Sequence, residues 1–329
     1  MRTISYLQAI NEALDEALAE DEHVFLIGED IGVYGGGFGA TQGLQEKYGK
    51  QRVRDTPISE SAIAGAAVGA AMTGMRPVIE LQFSDFITVA MDQLVNQAAK
   101  IHYMYNGKAK VPLVMRTAAG SGTGAAAQHS QNLENWMAHI PGLKVIQPTN
   151  AYDAKGLLHA AIKDNNPVMF YEHKLLYKTS GNVPSEPYTI PIGVADIKRT
   201  GDDITIVATG IMVNKALEAA EIMKEKGVSV EVVDPRTLVP LDKETILRSV
   251  EKTKRVIVAT EAVKNSGFSA EITAIIAESD SALDLKKPIV RLGGEFVPMP
   301  AQKVLEARAT PQVDSLVNAV EKLMVEIEA

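Results

Sequence analysis

Short apolar runs alternate with helix-period segments along almost the whole chain, and few architectures accept that alternation. Leu7, Ile10, Leu14 and Leu18 recur at helical spacing, and the run Val24-Phe25-Leu26-Ile27 follows, ending at Gly28. Further apolar runs at 78–81, 111–115, 144–146 and 168–171 predict strands, with helices over 92–100 and 151–163. Runs that are apolar throughout belong to strands buried on both faces. The expected fold class is therefore α/β and doubly wound, with mostly parallel sheets covered by helices on each side. From about Tyr177 to Pro191 the pattern lapses into Pro184, Pro187, Pro191 and Gly181, a linker composition. Alternation then resumes with strands at 204–208, 230–233, 256–259 and 289–292. Helices are expected at 213–226, near Ile246 and near Ile272, and in a last segment opened by Thr310-Pro311. The expected organisation is two α/β domains, 1–180 and 201–329, joined by a Pro-rich linker at 181–200.

Charge and composition remove whole classes of function. A formal net charge of −8 argues against nucleic-acid binding, which wants a basic face. No segment is apolar for long enough to span a bilayer, and the first residues carry no apolar signal core, so no membrane partner is expected. The absence of cysteine removes thiol nucleophiles, disulfides and thiolate metal sites, and fits a cytoplasmic setting.

One carboxylate stands out. Glu60 closes the stretch Asp55-Thr56-Pro57-Ile58-Ser59-Glu60 and is followed by Ser61, Ala62, Ile63, Ala64, Gly65, Ala66 and Ala67. Ser59 suits an N-cap and Glu60 the first helical turn. A helix of such small residues holds only where another backbone packs against it, in a core or an interface. Glu60 would then border a dry place, where a carboxylate finds a partner or its pKa rises.

Other segments admit two readings each. Gly35-Gly36-Gly37 and Gly120-Ser121-Gly122-Thr123-Gly124 lack phosphate-loop spacing and read as mobile loops able to order over a ligand. His129, in Gln128-His129-Ser130-Gln131, is either a surface or structural histidine or a proton-transfer group. His139 reads as a packed residue, and Ser130 lacks a nucleophile-elbow pattern. Gln82-Phe83-Ser84-Asp85-Phe86 follows a strand, where α/β sheets bind ligands, so its aromatics are core or a stacking platform. Asp164-Asn165-Asn166-Pro167 is a turn, or an oxygen-rich end that holds a monovalent cation.

An ordered set of segments nevertheless matches one family. Ile27-Gly28-Glu29-Asp30, the stretch ending at Glu60, Ala127-Gln128-His129-Ser130-Gln131, Pro141-Gly142-Leu143-Lys144-Val145, Asp153-Ala154-Lys155-Gly156-Leu157-Leu158 and Asp234-Pro235-Arg236-Thr237 span nearly the whole chain. With them the chain resembles the beta subunit of the thiamine-diphosphate-dependent first component of the pyruvate, branched-chain 2-oxo acid and acetoin dehydrogenase complexes, relatives of transketolase. The resemblance implies an N-terminal pyrimidine-binding domain and a C-terminal transketolase-like domain. It implies an oxidoreductase that decarboxylates or cleaves its substrate and reductively acylates a lipoyl group. Glu60 matches the residue that shares a proton with the cofactor's aminopyrimidine, which needs a poorly solvated carboxyl. Phe86 matches the aromatic packed on that ring, and Gln82 a residue lining the pocket. His129 matches the histidine that protonates the dithiolane sulfur. Leu113, Ala161 and Ile162 carbonyls, with Asp164 and Asn166, match a structural potassium site.

The family's diphosphate and magnesium motif, Gly-Asp-Gly followed by Asn-Asn, is absent; Gly201-Asp202-Asp203 comes nearest. The resemblance therefore implies that an alpha subunit holds the diphosphate and magnesium, in an α2β2 heterotetramer with beta–beta contact, serving a lipoyl-bearing acyltransferase. The stretch after Arg291, through Gly293-Gly294-Glu295-Phe296 and the polar run 302–310, departs from the family pattern. Two other readings remain: half of a split transketolase-like sugar-phosphate enzyme, or a non-catalytic scaffold.

Overall fold

Helix α1 (Tyr6–Glu20) begins with a reciprocal cap. Ser5 Oγ accepts from the Gln8 amide at 3.1 Å, and the Ser5 amide donates to Gln8 Oε1 at 2.9 Å. Strand β1 (Arg2–Ser5) precedes it and β2 (Val24–Glu29) follows. The computed structural model describes residues 1–325. They form two compact units: Met1–Ala119, Leu133–Ile192 and Leu238–Pro240 in the first; Gly120–Asn132, Gly193–Thr237 and the residues from Leu241 onward in the second.

In chain order the first unit continues with α2 (Leu44–Tyr48), β3 (Val53–Thr56), α3 (Glu60–Met72), β4 (Arg76–Leu81), α4 (Ile87–Met91) and α5 (Ala99–Met104). A π-helical stretch, Asp92–Ala98, joins α4 to α5, so one long helix replaces the shorter one expected. Then come β5 (Val114–Ala119), α6 (Glu134–Ala138), β6 (Lys144–Ile146), α7 (Ala151–Lys163), β7 (Val168–His173) and β8 (Ser180–Val183). Strand β5 starts three residues later than the apolar run suggests. Pro112 has no N–H for a ladder, and Leu113 N turns back onto Val111 O at 2.8 Å. The sheet order is β12-β6-β7-β5-β4-β2-β3, with β12 (Thr237–Val239) contributed from far along the chain. The pairings from β2 through β7 are parallel.

The Pro-rich stretch is not a free tether. Strand β8 pairs antiparallel with β1, and the Ile190 amide donates to Gly156 O at 3.0 Å on α7. A Cβ on Gly156 would meet Tyr188 at 2.6 Å, so the stretch lies directly on that helix. Proline content removes donors but leaves apolar side chains such as Val183 and Ile190 free to bury.

Gly142 shows how closely α5 and β6 approach. Its φ is +103°, and a Cβ there would overlap the backbone carbonyl of Ala99. Gly142→Ala is expected to destabilise the protein by about 2 kcal/mol or more, read as a lowered midpoint in chemical denaturation. An unchanged midpoint would show that the helix can retreat at no cost.

The second unit holds β9 (Asp196–Arg199), β10 (Ile204–Ala208), α8 (Ile211–Glu225), β11 (Val230–Asp234), α9 (Lys243–Thr253), β13 (Val256–Val263), α10 (Phe268–Ala277), β14 (Val290–Gly294), α11 (Lys303–Ala309) and α12 (Val313–Met324). Its sheet runs β14-β13-β10-β11-β9, parallel except for the edge strand β9. Met212, Ala216, Ala220 and Met223 of α8 meet Leu316, Val320 and Leu323 of α12 over that sheet. Both units are therefore α/β with predominantly parallel sheets, as the alternation of runs requires.

Candidate functional site

In the first unit the singled-out residues gather beyond the C-terminal ends of the neighbouring strands β4, β2 and β3. That is where open α/β sheets present ligands. Strand β2 delivers Glu29 and Asp30, β3 runs through Thr56 to Ser59 and Glu60, and β4 runs into Gln82. Burial lifts the Glu29 carboxyl above its ordinary pKa, and the negative charges of Asp30 and Glu60 add to the effect.

Glu60 is the first residue of α3 and is half-buried. Ser59 makes no side-chain capping bond, contrary to expectation; its backbone, at φ −168° and ψ 74°, departs from the usual capping conformation. Helix α3 buries Ile63, Ala64, Ala67, Val68 and Ala71. Its opposite face, Ser61, Ala62, Ala66 and Gly69, is exposed. Of the two places expected for this helix, the core takes one face and leaves a smooth one open.

Gln82 and Phe86 are both partly exposed. Phe83 meets Phe86 edge-on at 5.6 Å and Phe38 at 5.7 Å, and Phe38 meets Tyr177 at 5.1 Å. The Lys174 ammonium sits 5.2 Å from the centre of the Phe83 ring. This row runs into the core at one end and presents Phe86 at the other. The first glycine loop lies over the same strand ends. Gly36 N donates to Asp30 O at 2.8 Å, and Cβ atoms on Gly36 and Gly37 would meet Glu80 Oε1 at 2.8 Å and the Gln82 side chain at 3.7 Å. The loop is tied down by hydrogen bonds, and glycine permits the approach.

Beneath this site is a buried ionic cluster that the sequence did not advertise. Arg116 Nη1 donates to Glu80 Oε2 at 2.8 Å, while Nε and Nη2 donate to the two oxygens of Glu172 at 2.7 and 2.9 Å. Tyr177 Oη donates to Glu172 Oε2 at 2.9 Å. Burial opposes the guanidinium charge, but Glu172 and Glu80 outweigh it and hold the Arg116 pKa above its ordinary value. Next to the cluster, Gln82, Phe38 and Thr117 line a small cavity, and Thr117 Oγ1 has no hydrogen-bond partner among the described residues. That cavity is too small for a ring, but at the strand ends outside it a carboxylate, an amide and a partly exposed aromatic suit a flat heteroaromatic ring with polar edges.

His129 falls in the second unit, on the loop 120–132, and is half-buried. His139, expected to be packed, is exposed: it ends α6, where Met137 takes the buried side instead. The loop's amides meet two buried carboxylates that sequence reasoning missed, Glu261 and Glu306. Glu306 was hidden in the polar run 302–310, which folds as α11. The glycine-rich loop, full of N–H groups needing acceptors, was the one available hint.

The residues matched to a potassium site lie together where α7 ends and β5 and β7 begin. Arg76 Nη1 donates to Ile162 O at 3.0 Å and Asp164 O at 3.1 Å. The Asp164 carboxylate accepts from Lys144 Nζ and from the Asn166 amide at 2.8 Å. Burial acts to raise the Asp164 pKa, but the bonds from Lys144 and Asn166 prevail and lower it. Leu113 O accepts from Val168 N at 2.8 Å and Ala161 O from Asp164 N at 3.2 Å, each keeping a second lone pair. Among the described residues no cluster of three His, Asp or Glu side chains forms a metal site. Nor is any described helix long and apolar enough to cross a membrane.

Two α/β units with predominantly parallel sheets are the framework of a transketolase-like protein. Two family models match accordingly: the transketolase pyrimidine binding domain over residues 2–180 and the transketolase C-terminal domain over 193–316. Within that class the chain belongs to the beta subunits of the first (E1) component of the 2-oxo acid and acetoin dehydrogenases. The acetoin:2,6-dichlorophenolindophenol oxidoreductase subunit beta of Bacillus subtilis (strain 168) is 48% identical over 98% of both chains. The 2-oxoisovalerate dehydrogenase subunit beta of the same organism is 46% identical over 98% of this chain and 99% of its own. The mitochondrial pyruvate dehydrogenase E1 component subunit beta of Homo sapiens is 44% identical over 98% of this chain and 90% of its own. Among solved structures, a split gene transketolase described as an inactive beta4 tetramer shares the fold, with a TM-score of 0.77 at 24% identity over 98% of each chain.

Proposed function

We propose that this chain is the pyrimidine-holding half of a thiamine-diphosphate-dependent 2-oxo acid or acetoin dehydrogenase. The observation that carries the reading is the gathering of Glu60, Gln82 and Phe86 beyond three adjacent strands, in a chain without a diphosphate motif. When bound, the cofactor supplies the electron sink for cleavage next to a carbonyl. The work of this chain is to place and protonate. Phe86 offers its ring face, Gln82 fixes an edge, and Glu60 holds the proton shared with a ring nitrogen. His129 hands a proton to the sulfur leaving the lipoyl disulfide as the acyl group arrives.

An alpha partner holds the diphosphate end and magnesium in an α2β2 tetramer. The smooth exposed face of α3 suits close packing against another helix. Covering it also shields the neighbourhood of Glu60 from water. Potassium, bound through Leu113, Ala161, Ile162, Asp164 and Asn166, would share Ile162 O and Asp164 O with Arg76. A cysteine-free chain suits the reducing cytoplasm. Relatives that are dehydrogenase subunits at 44–48% identity favour this reading over a sugar-phosphate enzyme or a scaffold.

The test is the purified chain with and without its alpha partner, assayed against pyruvate, branched-chain 2-oxo acids and acetoin, with cofactor binding followed by calorimetry. The expected result is no turnover and weak cofactor binding alone, and both restored by the partner. Full turnover by the chain alone would overturn the division of labour.

A further inference from the structure

We propose that Glu261 and Glu306 are positioning residues that fix the His129 loop; the proposal rests on the role given above to His129. Four donors on the loop converge on these two side chains. Ser121 N donates to Glu261 Oε1 at 2.7 Å, and Asn132 Nδ2 donates to the same oxygen at 3.0 Å. Gly122 N donates to Glu306 Oε1 at 2.7 Å, and Gly124 N to Glu306 Oε2 at 3.1 Å. Glu261 thus ties both feet of the segment 120–132 to one atom at the end of β13. Glu306, from α11, holds the rising arm.

The residue type is informative. Backbone N–H groups need acceptors, but an amide or a main-chain carbonyl would serve with a smaller desolvation cost. Both carboxylates are instead buried, at 7% and 2% exposure. Bonds to an ionised acceptor are shorter and roughly twice as strong as neutral ones, so the gain is stiffness at the loop's base. The loop above that base is strained. Ala126, a non-glycine residue, has a φ of +63°, and its carbonyl accepts from the His129 amide at 3.4 Å, closing the turn that presents the histidine. A strained turn on a charge-clamped base is arranged to put one side chain in one place.

The consequence is selective. Loosening the base misplaces His129, while Glu60, Gln82 and Phe86 keep the supports of their own unit. Two assays of the chain assembled with its alpha partner separate these: reduction of 2,6-dichlorophenolindophenol, which needs no lipoyl group, and acylation of a lipoylated domain. Glu306→Gln is nearly isosteric but turns one acceptor into a donor facing an amide N–H. It is expected to lower kcat for lipoyl acylation by about 10–10²-fold, far more than dye reduction, since small misplacements of a reacting group have effects of that size. Glu261→Gln should behave alike, and His129→Ala supplies the comparison.

If His129→Ala separates the two assays but neither glutamine variant does, the positioning role is wrong while the role of His129 stands. If His129→Ala slows both assays equally, the role of His129 falls and the proposal with it. Hydrogen exchange gives a reading that needs no activity assay. The amides of Ser121, Gly122 and Gly124 should be protected in the unaltered protein, and Glu306→Gln should speed exchange within 120–132 alone. Unprotected amides in the unaltered protein overturn the proposal.

Discussion

Glu60→Gln is expected to lower turnover of the assembled enzyme by about 10²–10⁴-fold, the range seen when a positioned proton-transfer group is removed. Glutamine keeps the shape and an acceptor oxygen but cannot exchange a proton with a ring nitrogen. The fold should not notice. Glu60 opens α3, its neighbour Ser59 makes no capping bond, and the buried face of the helix is built from Ile63, Ala64, Ala67, Val68 and Ala71. Losing a charge at a helix N-terminus costs about 0.3–1 kcal/mol, small against a kinetic effect of several. The substitution also removes one of the negative charges acting on Glu29, so that carboxyl should titrate lower in the variant. The measurements are steady-state rates with the alpha partner present and a denaturation curve for each protein. Native rates in a well-folded variant would remove Glu60 from the mechanism.

The largest effect on stability is expected at Arg116. Arg116→Met leaves Glu172, which is fully buried, and Glu80, nearly so, without their cation. Removing one member of a buried ionic group typically costs about 3–5 kcal/mol, because the remaining charge is stranded in a poor solvent for it. Denaturant midpoints report this directly. Adding Glu172→Gln and Glu80→Gln to Arg116→Met should recover much of the loss, since no charge is then stranded. A single variant as stable as the parent would mean that water reaches the cluster. Activity should fall together with stability, as Glu80 lies under the glycine loop beside Gln82.

Much of the fold was legible because each local signal is self-contained. Helix α7 runs from Ala151 to Lys163 as its apolar spacing predicts, with Asn150 Oδ1 accepting from Asp153 N at its start. Signals that depend on distant partners were not legible. Nothing in Thr237-Leu238-Val239 says that it extends a sheet whose other strands are encoded far earlier. The proline-rich stretch after Tyr177 looked loose because composition records missing donors, not the burial of Val183 and Ile190. At the site, the ordered motifs contained Glu60 and His129, and the family resemblance they carry pointed further to Gln82 and Phe86. Arg116, Glu261 and Glu306 are charged residues in apolar or polar runs, and their burial follows only from what surrounds them in three dimensions.

The chain leaves and re-enters its two compact units more than once, and this limits how the protein can be dissected. A single scission near Ile192, by protease or stop codon, yields no autonomous half. The N-terminal fragment would lack the edge strand β12 and would carry residues 120–132 stripped of both clamping carboxylates. The C-terminal fragment would keep Glu261 and Glu306 with nothing to hold. Any minimal module has to bring several separated segments together, so gene fusion or circular permutation must respect the crossings and not the proline-rich stretch.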